Sequence, residues 1–422
     1  MYAGQYQIDA IEILQPNGLS LDIRDQVQQV TIYEDLFSPF MSGNIICGDS
    51  VDLPSYFMNS GADLLRLRLS TPTIAKEQWI DRYFHIYRLA DRAVINSRAQ
   101  TYIYYFVSQE SIVDTSHNIS KTFRGRGNDI VKSIMANNIG SSVPVNSSST
   151  TNDITYTSNY WSATKNITYI CDHSIAEDKT PSFLFFENRA GFQFKPLTEL
   201  AKAKPFMEFK ATDHITEVNT AEFGAGNISK NLSMDYSAIL TLSMKVTYDY
   251  EKDKRNGMLN SRMFTFDLKT KKLSDTTFNL NQDTRPLLNP NRFYTKELID
   301  ASYRGTHGSV MLHNQAHTGL YNGVGDGSDF AYKQKRISLL RQFQQHKIEI
   351  TVLGRTDYTV GMTVSVDSNR LGNITKDMSA NEIQDPLISG KYIVAAVCHR
   401  FGRDGVHQCT LELIRDSIGA KL

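Results

Sequence analysis

The sequence predicts a mainly β protein with α+β parts. Short segments rich in Ile, Val, Leu, Tyr and Phe occupy the first and the last parts of the chain, and turn-forming residues separate them. Between these parts, two segments repeat apolar residues at the spacing of an amphipathic helix. The chain has 422 residues, of which 41% are hydrophobic, and this length exceeds what one hydrophobic core usually serves. We therefore expect several domains, with β-rich ones at both ends.

Residues 1–110 are predicted to form strands. The segments VTIYEDL, NIIC, LLRLRLS, FHIYRLADRAVI and TYIYYFVS are short, and Gly, Pro, Asn and Asp stand between them. In TYIYYFVS, residues 101–108, both the odd-numbered and the even-numbered positions carry apolar side chains, so both faces of the strand are apolar. A strand of this kind is covered on both sides, as in a closed barrel packed against a neighbour.

Residues 111–205 are predicted to form a small α/β domain. A helix is expected after FRGRG, because Ile130, Ile134 and Met135 share one face and Gly140 stands just beyond the end. A second helix is predicted within WSATKNITYICDHSIAE. The segment FLFFENRAGFQF follows and is predicted to be a β-hairpin that turns at residues 188–191.

The rest of the chain is predicted to be a second β region that an insertion interrupts. Strand patterns lie in residues 206–250 and again in residues 331–416, where HKIEITVLG, MTVSVD and KYIVAAVCH follow the helical pattern YKQKRISLLRQFQQ. Residues 251–330 are polar and irregular, with weak strands such as MFTFDL, and we interpret them as an insertion domain. The second β domain is therefore expected to be discontinuous.

The charge balance gives no reason to expect nucleic acid or an anionic membrane as the main partner. Lys and Arg together number 45, and so do Asp and Glu, which makes the formal net charge zero. No stretch reaches the ~20 apolar residues that a membrane helix needs, and no secretory signal is recognisable. Four scattered cysteines do not make a disulfide framework. We expect neither specific nucleic-acid binding nor direct membrane binding.

The segment KYIVAAVCHRFGRDGVHQCTLELI raises the question of a metal site. It contains four side chains of types that bind transition metals: Cys398, His399, His407 and Cys409. We expect a hairpin in which Phe401 pairs with Val406, so that Cys398 lies opposite Cys409. His399 then points to the other face, and at most the remaining three ligands share one side. We therefore expect two small cysteines in a barrel wall and no metal site, with a three-ligand site as the alternative.

No other segment predicts catalysis or a cofactor. His313 and His317 have the spacing of a zinc-protease helix, but Asn314 stands where that motif needs its glutamate. The stretch GVGDGSDF, with Asp326 and Asp329, lacks the ligand spacing of a calcium loop. A pair of carboxylates for glycoside hydrolysis needs only to meet in space, so that chemistry stays open. We expect a protein that is not an enzyme, without catalytic, cofactor-binding or metal-binding residues.

Several segments in the same order resemble one known family, the central baseplate-hub proteins of T-even-like contractile-tailed bacteriophages. The similar segments are IYEDLFSPFMSGNIICGDS, FHIYRLADRAVINSRAQTYIYYFVS, YWSATKNITYICDHSIAEDKTPSFLFFENRAGFQF, HKIEITVLGRTDYTVGMTVSVD and GKYIVAAVCHRF. The chain is also similar to the hub half of type VI secretion spike proteins. The resemblance covers most of the chain and is weakest over residues 250–330.

The resemblance implies a domain organisation. It places one tube-protein-like antiparallel β-barrel domain at residues 1–110, and a second, discontinuous one at 206–250 and 331–416. The small α/β domain, 111–205, and the insertion domain, 251–330, complete the chain. Three such chains are expected to form a homotrimeric ring, whose six barrels present a pseudo-hexameric face.

The implied function is structural. The ring would adapt the trimeric central spike below it to the hexameric tail tube above it, and line the channel through which the genome passes during DNA ejection. The expected partners are the central spike protein, the tail-tube or tube-initiator protein and the surrounding baseplate wedge proteins. The expected location is the tail baseplate of the virion, after assembly in the host bacterial cytoplasm.

Three aromatic residues in the segment YEDLFSPF are candidates for an intersubunit or interdomain contact: Tyr33, Phe37 and Phe40. The alternative is ordinary core packing, because aromatic side chains serve both uses.

Two alternative functions stay open. The first keeps the fold and places it in the hub of a type VI secretion spike or of a phage-tail-like bacteriocin. Those spikes usually fuse the hub to a β-helical needle, whereas this chain ends at GAKL soon after its last strand, so we expect a separate spike protein. The second, less favoured alternative is a β-rich wall hydrolase, which needs a carboxylate pair for acid/base catalysis.

Overall fold

The computed structural model describes residues 3–56, 61–96, 98–211, 236–246, 248–267, 271–303, 310–315, 329–370 and 383–419. Within these residues the protein is mostly antiparallel β-sheet with a few short helices, which confirms the predicted fold class. None of the helices in the described ranges combines the length and the apolar composition needed to cross a lipid bilayer.

The first β region corresponds to the predicted strand segments. Its described strands are Gln7–Leu14 (β1), Ser20–Asp22 (β2), Val27–Asp35 (β3), Ser42–Asp49 (β4), Leu64–Ser70 (β5), Ile80–Asn96 (β6) and Ala99–Ser108 (β7). Short helical turns lie at Arg24–Gln26, Leu53–Tyr56 (α1) and Lys76–Gln78. In β4 and β7, buried residues alternate with half-buried ones along the whole strand, because successive side chains point to opposite faces of the sheet.

The α/β region follows directly. Its elements are Gln109–Ser116 (α2), Asn118–Ile119 (β8), Thr122–Arg126 (β9), Gly127–Ile134 (α3), Val145–Ser147 (β10), Asp153–Thr157 (β11), Trp161–Ser162 (β12), Ala163–His173 (α4), Phe183–Asn188 (β13), Gly191–Pro196 (β14) and Leu197–Lys202 (α5). A π-helical turn, Met135–Ile139, extends α3 and ends at Gly140, whose φ is 70°. The strands β13 and β14 pair from Phe183 to Asn188, so the predicted hairpin and its turn are confirmed.

Two strands and the inserted segment come next. The strands are Glu208–Ala211 (β15) and Ile239–Val246 (β16). The described elements of the insertion are Tyr250–Arg255 (α6), Asn260–Asp267 (β17), Lys272–Asn279 (β18), the turn Leu280–Gln282, Lys296–Tyr303 (α7) and Val310–Gln315 (β19). The strands β18, β17 and β19 make a separate three-stranded sheet.

The last part of the chain returns to the large sheet. It consists of Asp329–Gln345 (α8), His346–Leu353 (β20), Thr363–Ser368 (β21), Gly390–Gly402 (β22) and His407–Arg415 (β23). β15 pairs with β21, and β16 pairs with β20, so the segments on either side of the insertion share one sheet.

One sheet of 13 strands joins the first β region to the last. Its order is β16-β20-β23-β22-β3-β4-β7-β6-β5-β1-β2, with β21 and β15 attached beside β22. The two regions meet where β22 pairs with β3. Within the described residues, the two predicted barrels are therefore continuous through this pair of strands, which sequence periodicity did not indicate.

Buried apolar side chains form several clusters along this framework. One lies inside the first β region, one inside the α/β region, one under the last β region and a small one inside the insertion. The division into domains at 1–110, 111–205, 206–250 with 331–416, and 251–330 stays a prediction.

Candidate functional site

The first β region has an apolar outer face that is only partly covered. Every second side chain of β7 lies in the core of this region. The others point to the opposite face and are half-buried: Ile103, Tyr105 and Val107. The Tyr105 ring lies 6.4 Å from the ring of Tyr87 on β6, which is exposed. The pattern of β7 predicts that both faces of this strand are covered. The described residues of this chain cover its outer face only in part.

The second half of β6 extends this surface. β5 pairs with β6 only over residues 80–85, whereas β7 continues beside β6 as far as Asn96. Among the described strands, none pairs with the other edge of residues 87–96. Four large apolar side chains are exposed there: Tyr87, Leu89, Val94 and Ile95. Tyr87 lies on the outer face beside Tyr105, whereas Leu89 and Val94 pair with Tyr104 and Gln100 and lie on the opposite face of this edge. An unpaired edge with exposed apolar side chains is a surface that a neighbouring chain can cover.

The structure separates the three aromatic residues that we proposed for an interface. Tyr33, on β3, and Phe37, just after it, are 43% and 40% exposed. Phe40 instead packs against the core of the α/β region, where its ring meets Phe192 edge-on at 6.2 Å. Phe40 thus makes a contact between regions of one chain. A role of Tyr33 and Phe37 between subunits stays a prediction.

A buried ion pair fixes the α/β region to the first β region. Glu187, at the end of β13, accepts hydrogen bonds from the Met41 backbone N–H (2.9 Å) and from the Ser108 hydroxyl. Its other oxygen receives the Arg82 guanidinium from β6, and both side chains are largely buried. Burial raises the pKa of Glu187, and the charge of Arg82 opposes this shift.

A second buried carboxylate joins three regions. Glu34, on β3, accepts hydrogen bonds from the Arg189 N–H (3.1 Å), in the turn of the β13–β14 hairpin. Its other oxygen accepts from the Thr359 hydroxyl and from the Val360 N–H (3.0 Å), in the loop before β21. Burial raises the pKa of Glu34 to about 7, against these hydrogen bonds and the more distant Arg189 charge. Sequence reasoning missed this junction.

The closing hairpin pairs one residue away from the predicted register. Phe401 pairs with His407 rather than with Val406, and His399 lies opposite Cys409. The predicted pairing of Cys398 with Cys409 is therefore wrong. A shift of one residue moves every side chain of a strand to the other face, so the predicted separation of His399 from the other ligands is wrong as well.

The observed register brings three polar side chains together in the interior. Nδ1 of His399 lies 3.1 Å from Nε2 of His407, and Sγ of Cys409 lies 3.2 and 3.3 Å from these two nitrogens. Burial lowers the pKa of His399 to about 4 and that of His407 well below its usual range, so both rings are neutral. Cys398, half-buried on the same hairpin, pairs with Thr410 instead.

Two further motifs were considered as metal sites, the His313/His317 pair and the stretch with Asp326 and Asp329, and the described residues of neither form such a site. His313 lies on the strand β19 rather than on a helix, and Asp329 begins α8. His317 and Asp326 lie outside the described residues.

A cleft of about 950 Å³ beside β15 and β21 contains the carboxylates of Glu208 and Asp367. The Gln384 amide donates to Asp367 at 2.9 Å, and Lys210 lies 3.8 Å from Glu208. Each carboxylate therefore has a polar partner at the surface, and the arrangement singles out neither of them as a general acid or a nucleophile.

Comparison with known proteins was made by sequence and by structure. No protein-family model and no curated protein sequence matches this chain. A tail protein from Neisseria meningitidis superposes with a TM-score of 0.56 at 11% identity, over 98% of this chain and 97% of that one. The 43 kDa tail protein of prophage MuSo2 from Shewanella oneidensis gives 0.56 at 8% identity, over 97% and 99%.

The chain has the fold of phage tail proteins. The alignment extends over nearly the whole length of both tail proteins. A component of the type VI secretion system from E. coli also superposes, with a TM-score of 0.44 at 8% identity, over 99% of this chain and 79% of that one; this similarity is too low to support an argument. The expected likeness to phage tail proteins is thus confirmed for the fold.

Proposed function

We propose that this protein is the structural baseplate hub of a contractile phage tail. The observation that carries the proposal is the agreement in fold with two phage tail proteins over nearly the whole of each chain. In this role three copies form a ring that adapts the trimeric central spike to the hexameric tail tube and lines the channel for the genome.

The arrangement of the large sheet supports a trimer with a pseudo-hexameric face. Each chain contributes a first and a last β region, and the pairing of β3 with β22 joins them in one sheet. Three chains then supply six β regions, the number that a six-fold tube requires. Closed three-fold symmetry limits the assembly to a ring instead of a fibre.

The outer face of β6 and β7 is the surface that we assign to the contact between subunits. It combines half-buried aromatic and β-branched side chains with the unpaired edge of residues 87–96. Covering this face with the next subunit removes apolar area from water and pairs an exposed strand edge. Tyr33 and Phe37, exposed on β3 and just after it, extend the same proposal.

The proposed partners are the central spike protein, a tail-tube or tube-initiator protein and the baseplate wedge proteins. The location is the tail baseplate of the virion, following assembly in the host cytoplasm. No specific nucleic-acid contact, membrane contact or catalytic step is part of this role.

The oligomeric state of the purified chain tests the proposed ring. We expect a trimer by light scattering or sedimentation velocity. The variant Tyr87→Asp puts a charge on the proposed interface and should shift the protein to monomers, because a desolvated charge at an interface is unfavourable. The matched control Tyr248→Asp changes another exposed tyrosine, just before α6, and should stay trimeric.

Two outcomes contradict the proposal. If the wild-type chain is monomeric both alone and with its spike protein, the ring is wrong. If labelled chains in electron micrographs of intact tails lie anywhere other than between tube and spike, the assignment as hub is wrong. Cleavage of cell-wall peptidoglycan by the purified chain would instead support the hydrolase alternative.

A further inference from the structure

The closing hairpin carries three side chains whose donor atoms converge on one point, and we propose that they bind a zinc ion. The ligands are Nδ1 of His399, Nε2 of His407 and Sγ of Cys409. These are the atoms that form the buried group described above, all within 4.8 Å of one another. The proposal is independent of the role in the tail.

The spacing of the donor atoms is that of a zinc site. Zinc binds His nitrogen at about 2.0–2.1 Å and Cys sulfur at about 2.3 Å in tetrahedral geometry, which separates two nitrogens by about 3.3 Å and nitrogen from sulfur by about 3.6 Å. The distances in the hairpin are 3.1 Å between the nitrogens and 3.2 and 3.3 Å from them to the sulfur. An adjustment of a few tenths of an ångström therefore accommodates the ion.

The hydrogen bond on the far side of His399 sets its tautomer. Nε2 of this ring lies 3.1 Å from the carbonyl oxygen of Tyr358, which can only accept a hydrogen bond. Nε2 therefore carries the hydrogen of the neutral ring, and Nδ1 presents a lone pair to the other two side chains. A carbonyl that accepts from the second ring nitrogen is the usual support of a metal-binding histidine.

Hydrogen bonds alone do not account for all three close contacts. Nδ1 of His399 has no hydrogen, and Nε2 of His407 and Sγ of Cys409 have at most one each. Two hydrogens are therefore available for three contacts, so at least one contact has no linear hydrogen bond of its own. A divalent cation at the centre would instead be bound by one lone pair from each of the three atoms.

The surroundings hold the rings in place. The His407 ring stacks on Phe401 at 4.0 Å, and a Cβ at position 354 would lie 2.3 Å from its Cγ, so only glycine leaves room there. Burial raises the pKa of Cys409 well above its usual range, and the backbone N–H of Arg355, which donates a hydrogen bond to Sγ, acts against this rise.

The types of the three ligands decide which ion fits. Nitrogen and thiolate ligands in this combination select zinc over magnesium or calcium. Three protein ligands leave one position of a tetrahedral ion open.

Metal analysis of the full-length chain, purified without a histidine tag or added chelator, tests the site. We expect one zinc ion per chain by mass spectrometry of the elements. Addition of Co²⁺ to the chelator-treated protein should give the absorption of a tetrahedral cobalt ion bound to thiolate. Cys409→Ser should lose both signals, whereas Cys398→Ser, which changes the neighbouring half-buried cysteine, should keep both.

A second pair of variants distinguishes binding from folding. His399→Cys retains a ligand and should still bind cobalt, whereas His399→Gln retains a polar side chain but should not. Circular dichroism and the melting temperature show whether each variant is folded. If the folded wild-type chain contains less than stoichiometric zinc and takes up neither Zn²⁺ nor Co²⁺ added as simple salts, the proposal is wrong. It is equally wrong if Cys409→Ser is folded and binds cobalt as the wild type does.

Discussion

Glu187 and Glu34 are both buried where the β13–β14 hairpin meets the large sheet, but only Glu187 has an ion-pair partner. Arg82 lies against Glu187, and two further hydrogen bonds complete its surroundings. Glu34 accepts hydrogen bonds from two backbone N–H groups and one hydroxyl. No Lys or Arg in the described ranges forms an ion pair with it, and Arg189 acts on it only from a longer distance.

The difference shows how one hairpin is attached in two ways. At Glu187 the carboxylate charge is neutralised by a cation, so this junction depends on keeping both partners. At Glu34 the charge is stabilised mainly by the dipoles of hydrogen-bond donors, with the Arg189 charge acting from a longer distance, and burial raises its pKa to about 7. That junction therefore depends on pH near neutrality.

The largest effect is expected from Arg82→Met, which leaves Glu187 buried without its cation. We expect the free energy of unfolding to fall by about 3–5 kcal/mol at pH 8, since removal of one partner of a buried ion pair leaves the other charge uncompensated. The loss should be smaller at pH 5, because Glu187 can then take up a proton. Urea unfolding followed by circular dichroism measures both values.

The double variant Arg82→Met with Glu187→Gln is the control. It removes both charges, and we expect it to recover most of the lost stability, because the remaining side chains are neutral. A single variant that costs no more than a surface substitution would show that Arg82 does not neutralise Glu187 in solution.

The second effect is the dependence of stability on pH through Glu34. Its pKa is about 7 in the folded chain, against an ordinary value of 4.5. Between these values the folded chain holds a proton that the unfolded chain releases, so stability falls as the pH rises. The contribution is fully present below pH 4.5 and is lost by about pH 7, and it amounts to about 3 kcal/mol.

Comparison of the wild type with Glu34→Gln isolates this contribution. The amide is neutral at every pH. The difference in unfolding free energy between the two proteins should therefore change by about 3 kcal/mol between pH 4.5 and pH 8. The measurement is made on chelator-treated protein, so that a bound metal adds no pH dependence of its own. A difference that stays constant over this range would mean that Glu34 is not buried as a carboxylate.

The strands of the first β region were predictable because their signal is local. Alternation of apolar residues along β4 and β7 reports directly on which face is buried. The same alternation places Glu34 on the buried face of β3, between the buried residues Ile32 and Leu36. The sequence therefore did indicate a buried glutamate at this position. Its partners Thr359 and Val360 lie 325 and 326 residues away, and no local pattern identifies them.

The prediction of the register of the closing hairpin was wrong for a related reason. The choice between pairing Phe401 with Val406 or with His407 depends on one residue in the turn, and both strands have apolar side chains on each face. Partners from elsewhere decide it: the His407 N–H donates to the Gly4 carbonyl at 2.8 Å, and the Arg403 N–H donates to Gln28 at 2.9 Å. Because these contacts come from the other end of the chain, the ligand cluster was visible only in the folded structure.

The smallest effect is expected from Thr359→Val, which removes one hydrogen bond to Glu34 and keeps the shape of the side chain. The cost should be about 1.5 kcal/mol at pH 8, where the carboxylate is ionised, since a hydrogen bond to a charged group is worth slightly more than a neutral one. The Thr359 hydroxyl lowers the pKa of Glu34, so its removal should also move the pH-dependent loss of stability upward. Thr356→Val is the matched control, because the Thr356 hydroxyl is buried without a hydrogen-bond partner and its loss should cost nothing. If both valine variants shift stability equally and neither moves the pH dependence, the dipoles around Glu34 do not hold its charge, and the contrast with Glu187 disappears.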